Sequence, residues 1–437
     1  MKMNKFTSAL VAMGVVSLAS VASANTVIYL TGSTAARGNI FSAATTPGDI
    51  FTGTTTLYPA SANSSSSQVV FEGNIAGIGT VDLDCDWSGS EAGIAAVAGQ
   101  TLTQNVNGGT YNLPGVPPTF LTPASGFTTS AQLPSGTYPD LTMADTSQAV
   151  SQTSKATYPL TDYGVVGIVT FTMMKGYEAT PDAAWNHVNN ITTAEINQLL
   201  AGPLSANFVT GVSTDSGDGV YICGRNFGSG TRANAMLNFQ YGLFTSVDQY
   251  AYDADYPSGT PGVLTFEGNY ASGQHIVEVF NDGFDSGGSV AHVMNVDGTG
   301  SGNVLIGYLG VGDAAHAYAD DNTGSGGVGA AANSGPATFL PFNGVWESDS
   351  AIENGSYSYW GQEHILGSIG QSSTSPAGET AAAIVSGLAT QLTASGAGTK
   401  TGAVGPTYSA QSAIIPKSLM QATRASDGGF PTQGTFH

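Results

Sequence analysis

Basic residues are scarce in this chain. It holds 10 lysines and arginines against 31 aspartates and glutamates in 437 residues, a formal net charge of −21. A surface of that sign repels nucleic acid and anionic lipid, so neither is an expected partner. Cysteine is scarcer still, with only Cys85 and Cys223 present. An oxidising compartment would let them pair, and their spacing leaves open whether they do so or stay as two buried thiols. No CxxC or HExxH spacing occurs and the six histidines are scattered, so neither a metal centre nor a cofactor is expected. A Gly-x-Ser-x-Gly nucleophile turn is also missing, which argues against a secreted hydrolase. No internal repeat of a solenoid-like period is evident.

What is present begins with a leader. Lys2 and Lys5 precede an apolar run from Ala9 to Val21, and Ala22-Ser23-Ala24 supplies a small-residue cleavage site. The apolar run is too short for a membrane span. Residues 1–24 are therefore read as a signal peptide and the mature chain as periplasmic or secreted. Its 8 basic and 31 acidic residues leave a balance of −23. Roughly 410 residues suffice for two or three domains or lobes.

The chain carries four arginines, Arg37, Arg225, Arg232 and Arg424. Three of them lie in or beside two turns of small residues. In the first, TVIYL (26–30) reads as a strand, Thr31-Gly32-Ser33-Thr34 as a turn, and Ala35 onward, with Arg37, as a helix. In the second, Val220-Tyr221-Ile222 reads as a strand, Arg225 enters the turn Gly228-Ser229-Gly230-Thr231, and Arg232 leaves it on a helix carrying Met236, Leu237 and Phe239. A strand that delivers a Gly/Ser/Thr turn onto a helix start aims free backbone N–H groups and the positive helix end at one spot, and hydroxyls add donors. A third such turn follows Trp87, at Gly89-Ser90-Glu91-Ala92-Gly93. Asp145 ends the short strand 141–144. It reads either as a cap for the run after it or as an acceptor facing the same cleft as the turns.

The remaining pattern is strand alternating with helix. Residues 163–174 form a near-continuous apolar run, as in a strand covered on both faces. Thr192 or Thr193 caps a helix through Leu200 that Gly202-Pro203 stops. Strands are expected over 275–280 and 304–311, and helices from Gly287 and over 378–392. Residues 100–138, rich in Gly, Pro, Thr and Asn, read as an insertion. The expectation is an α/β fold with substantially parallel sheets.

These motifs, in this order, resemble the periplasmic phosphate-binding protein of bacterial phosphate ABC importers. The likeness is strongest across ITTAEINQLL…VYICGRNFGSGTR, where Arg225, Gly228, Ser229, Gly230 and Thr231 match the family's Arg-x-x-Gly-Ser-Gly-Thr. It implies a two-lobed type II periplasmic-binding-protein fold with a cleft between the lobes and Gly/Ser/Thr-rich loop insertions. Residues 25–162 plus 355–437 would form one lobe and 163–354 the other, with hinge segments near Tyr163 and Ser356–Trp360. It implies a monomeric, non-enzymatic receptor for inorganic phosphate or a related oxyanion, working with an ABC permease. The ligand would be held by Thr34, Ala35, Ser90, Asp145, Arg225, Ser229, Gly230 and Thr231, with Arg37 and Arg232 as additional cations. Other readings are a surface or matrix protein on the same fold and a receptor for a different oxyanion. One departure stands out: the family has aspartate two residues after the arginine, bracing it, where this chain has Phe227. Phe227 is thus the position expected to mark a changed ligand.

Overall fold

The computed structural model describes residues 25–106, 109–112, 117–123, 126–153, 155–252, 276–278, 283–284, 286–296, 302–320, 334–400 and 412–434. The leader at 1–24, most of the loop after Asp320, and parts of the expected insertion and of the strand at 275–280 lie outside the described residues.

The chain opens with β1 (Thr26–Gly32), α1 (Arg37–Thr45), β2 (Thr56–Tyr58), β3 (Gln68–Ile75), β4 (Gly79–Asp86) and α2 (Ser90–Val97). After the Gly/Pro-rich stretch come β5 (Leu141–Ala144) and the long β6 (Thr161–Lys175). Next are α3 (Thr193–Leu199), β7 (Leu204–Ser205), β8 (Gly219–Cys223) and α4 (Gly230–Asn238). The last third holds α5 (Gly287–Asn295), β9 (Asn303–Gly310), α6 (Val311–Ala319), β10 (Thr338–Leu340), β11 (Trp360–Gly367), α7 (Pro376–Ala394) and β12 (Ile414–Ile415). Local chemistry sets several of these ends. Thr192 and Glu195 form a reciprocal capping box on α3, Ser286 caps α5, and Ser375 caps α7 with Pro376 in its first turn.

The strands form one twelve-stranded sheet, ordered β7-β8-β9-β6-β11-β5-β1-β4-β3-β2, with β10 and β12 also paired to β6. β1 runs parallel to β4 and β5, and β8 parallel to β9. The other pairs in this sheet are antiparallel, so the expectation of substantially parallel sheets is corrected to a mixed sheet. The reason lies in β6. Its apolar run reports burial on both faces and says nothing of direction. β6 lies antiparallel to β11 over 161–170 and to β9 over 171–175, joining the two halves of the sheet.

Both faces of the sheet are covered. On β9, Val304, Ile306 and Tyr308 pack with Ile196, Val220, Ile222 and Phe239. The alternate residues Leu305 and Leu309 pack with Val290, Met294 and Ala314 of α5 and α6. This is the period-two alternation of a strand between two helical layers. In the other half, Ile40 and Ala44 of α1 share a core with Ala381, Ile384 and Leu388 of α7. Ile94 and Val97 of α2 pack with Ala144 and Leu366. Cys85 and Cys223 are free thiols, buried in two different cores. Among the described residues no helix is long and apolar enough to cross a membrane.

Candidate functional site

Four turns meet where strand ends face helix starts, the position in open α/β sheets where ligands sit. The turn after β1 brings Ser33, whose Oγ donates a short hydrogen bond to Asp145 Oδ1. Asp145 follows β5, and its backbone N–H donates to Ser90 Oγ at 3.1 Å, at the start of α2. The turn before α4 closes the group. A Cβ built on Gly230 would fall 2.2 Å from Ser90 Oγ and 2.6 Å from Asp145 Oδ2, so only glycine fits. Asn234 of α4 spans the same join, donating from Nδ2 to the Asp145 carbonyl at 2.8 Å and to that of Gly230 at 3.1 Å.

The bland role for Asp145 does not occur. The short 3-10 turn after it starts from Ser147, and the Asp145 carboxylate instead receives the Ser33 hydroxyl. Ser33 is absent from the expected ligand set, which takes Thr34 and Ala35 from this turn. It is buried, and its Oγ also accepts from the Ala35 N–H at 3.2 Å and the Ala36 N–H at 3.3 Å. The Ala35 amide, expected to face a ligand, is thus turned onto Ser33. Ser229 serves as the α4 cap, accepting from Arg232 N–H at 3.4 Å, and Thr231 lies buried in the first turn behind it.

Arg225 is buried and clamped at its backbone. Its N–H donates to Tyr308 Oη at 3.2 Å, and its carbonyl accepts from Gln249 Nε2 at 3.1 Å. Its Nε donates to the Phe284 carbonyl at 3.3 Å. Arg232 takes a bracing role. It donates to the Arg225 carbonyl at 3.5 Å and the Thr245 carbonyl at 3.3 Å, and lies 5.5 Å from the Phe227 ring. Phe227 packs with Ala92, Ala95 and Leu102, so the residue expected to mark a changed ligand is an apolar contact between the α2 turn and the α4 turn. Electrostatic compensation comes from another element. Asp313, in the first turn of α6, lies within reach of both Arg225 and Arg37. Burial raises the Asp313 pKa against the opposing pull of the two arginines, and burial lowers that of Arg37. Asp313 also packs onto the α5 start, its Oδ2 1.8 Å from where a Gly287 Cβ would stand. Sequence proximity alone held no signal for Asp313.

Beside this junction is a cavity of about 200 Å³, lined by Thr34, Ala35, Arg37, Thr170, Asp313 and His316 among others. It places a hydroxyl, a guanidinium and the α6 start around one space, large enough for a small oxyanion. Behind the junction is one further acid that sequence reasoning missed. Glu363 of β11 is fully buried against Asp145 and Ser33.

No family model matches the chain, and no curated protein matches it. Among solved structures, the chain is similar to a protein assigned as a phosphate ABC transporter substrate-binding protein, with bound phosphate, from Clostridium perfringens. Identity is 11%, with 83% of this chain and 93% of that one covered, at a TM-score of 0.40. It is also similar to an ABC-type phosphate transport receptor from Vibrio cholerae, at 11% identity, 87% and 100% coverage and a TM-score of 0.38. At those values neither likeness assigns a ligand.

Proposed function

We propose that the chain is an extracytoplasmic solute-binding protein for a small oxyanion, with inorganic phosphate as the ligand, serving ABC-type uptake. Residues 25–162 plus 355–437 and residues 163–354 act as its two lobes, and β6 and the segment leading into β11 carry the motion between them. The observation that supports this most is the convergence of Ser33, Ser90, Asp145 and Gly230 from four separate turns, with Arg225 and Arg37 compensated by Asp313 alongside.

Capture proceeds by lobe opening, entry of the ion between Ser90, Asp145 and the α4 turn, and closure over it. Arg225 supplies charged hydrogen bonds, the strongest single contribution, with hydroxyls of Thr34, Ser90, Ser229 and Thr231 around it. Asp145 discriminates. Phosphate at neutral pH keeps a proton that a carboxylate accepts, whereas sulfate has none and is repelled. Calorimetry of the mature chain tests this, with phosphate and arsenate binding and sulfate not. Absence of heat with every small oxyanion overturns the reading.

One observation favours a second reading, a surface or matrix protein on the same scaffold. The first N–H groups of α2, from Glu91 and Ala92, donate to the Gly228 carbonyl at 3.1 and 3.3 Å, so this helix start is already satisfied by protein.

A further inference from the structure

Glu363 has no place in the capture scheme above, yet it is buried to 0% exposure behind Asp145. The sheet puts it there. β11 and β5 pair antiparallel with His364 opposite Ala144, so the preceding residue of one strand faces the following residue of the other. Neither carboxyl oxygen of Glu363 has a well-formed hydrogen bond among the described residues. The Ser33 hydroxyl is near enough to favour its charged form, but that single proton is shared with Asp145 Oδ1, to which it donates. A buried carboxylate with at most a shared donor, beside a second carboxylate, is strongly disfavoured. A neutral carboxylic acid in the same place has a proton to give and an acceptor to receive it.

The groups around it do not change this balance. β5 contributes Asp145, the turn after β1 contributes Ser33, and α4 contributes the neutral Asn234. β6 opposes Glu363 with Gly167. Its strand neighbour His364 reaches Asp162 at 3.2 Å. Tyr359, before β11, feels Arg225, Tyr308 and Asp145. The α7 carboxylate Glu379 lies away, against Gly77.

We propose that Glu363 is a neutral acid that donates its proton to Asp145, so that the pair carries one negative charge and oxyanion capture is switched off when Glu363 ionises. The regulation of the site rests on the phosphate reading above, whereas the shared proton does not. With the proton in place, Asp145 faces the ligand as a carboxylate whose other contacts are donors. Without it, a dianion must enter beside two charges. Burial holds the Glu363 pKa well above the ordinary glutamate range, so this loss comes as pH rises beyond that range.

The experiment compares the wild type with Glu363→Gln, whose amide donates to Asp145 at every pH. Phosphate affinity, corrected for the ligand's own titration, is expected to fall about tenfold per pH unit above the Glu363 pKa in the wild type. In E363Q it stays flat. Infrared difference spectra of the ligand-free proteins at neutral pH are expected to show a carboxylic-acid C=O stretch that E363Q lacks. If E363Q fails to fold, Asp145→Asn serves instead and is expected to shift that band. A wild type and E363Q of equal pH dependence, or a band unchanged by both substitutions, overturns the proposal. A wild type that binds no oxyanion but keeps the Glu363 band overturns the phosphate reading and leaves the shared proton standing.

Discussion

The backbone N–H of Glu91 donates to the carbonyl of Gly228 at 3.1 Å, across the junction between the α2 and α4 turns. An anion seated at the α2 start must displace that carbonyl. The junction between the two turns is therefore closed by the protein's own backbone, and under the proposed function ligand affinity is the surplus over this contact.

Gly230→Ala is the sharpest test of that closure. The new methyl would collide with Ser90 Oγ and Asp145 Oδ2, so the turns must separate. A loss of about 1–3 kcal/mol in urea unfolding is expected. Small-angle scattering should show a more open molecule. Unchanged stability and shape would mean that the turns do not meet in solution.

Arg225→Ala is expected to weaken phosphate binding by about 2–5 kcal/mol in calorimetry, the usual cost of removing one member of a buried charged pair. Arg225→Lys should recover only part of this, because an ammonium cannot reproduce the planar fork. Asp313→Asn should alter affinity too, since it changes the charge beside both Arg225 and Arg37. Wild-type affinity in R225A would remove Arg225 from the site.

Three acids, Asp84 and Glu91 buried and Asp86 half-buried, predict the pH profile of stability. Burial raises Asp84 to about 8, and Asp86 and Glu91 to about 7. A raised folded-state pKa leaves stability intact below the unfolded value and erodes it as pH climbs through the folded one. Tm is thus expected to decline from about pH 5 to about pH 8. Asp84→Asn should flatten the upper part of that decline. A Tm that rises across the window would contradict the burial of these groups.

Cys85 and Cys223 are expected to resist a thiol-specific chromogenic reagent in the native protein and to react fully after unfolding. Both are buried, and desolvation pushes both thiol pKa values up. Fast reaction of either thiol in the native state would refute this.

The strand–turn–helix units were legible because each is local: Ser90, Arg225 and Gly230 sit on elements whose periodicity and turn chemistry lie within one short stretch. Asp145 was legible as an acid at a strand end, but its partner Ser33 lies 112 positions away and needed the β1–β5 pairing. Glu363 and Asp313 carried no local signal. One is placed by the register of β11 on β5, the other by how α6 meets α5. The packing of Phe227 against Ala92 and Leu102 was hidden for the same reason, since a substitution within a motif shows its residue type and not its neighbours. The direction of β6 was equally hidden, because an apolar run looks the same read either way.

β6 serves both halves of the sheet, and one continuous hydrophobic core spans residues from Ile28 to Met420. Cutting the chain within β6 would leave each half with an unpaired strand edge lined by Val, Ile, Phe and Met, a template for aggregation. The two halves are therefore expected to melt together, in a single calorimetric transition, and neither should be obtainable as a soluble fragment.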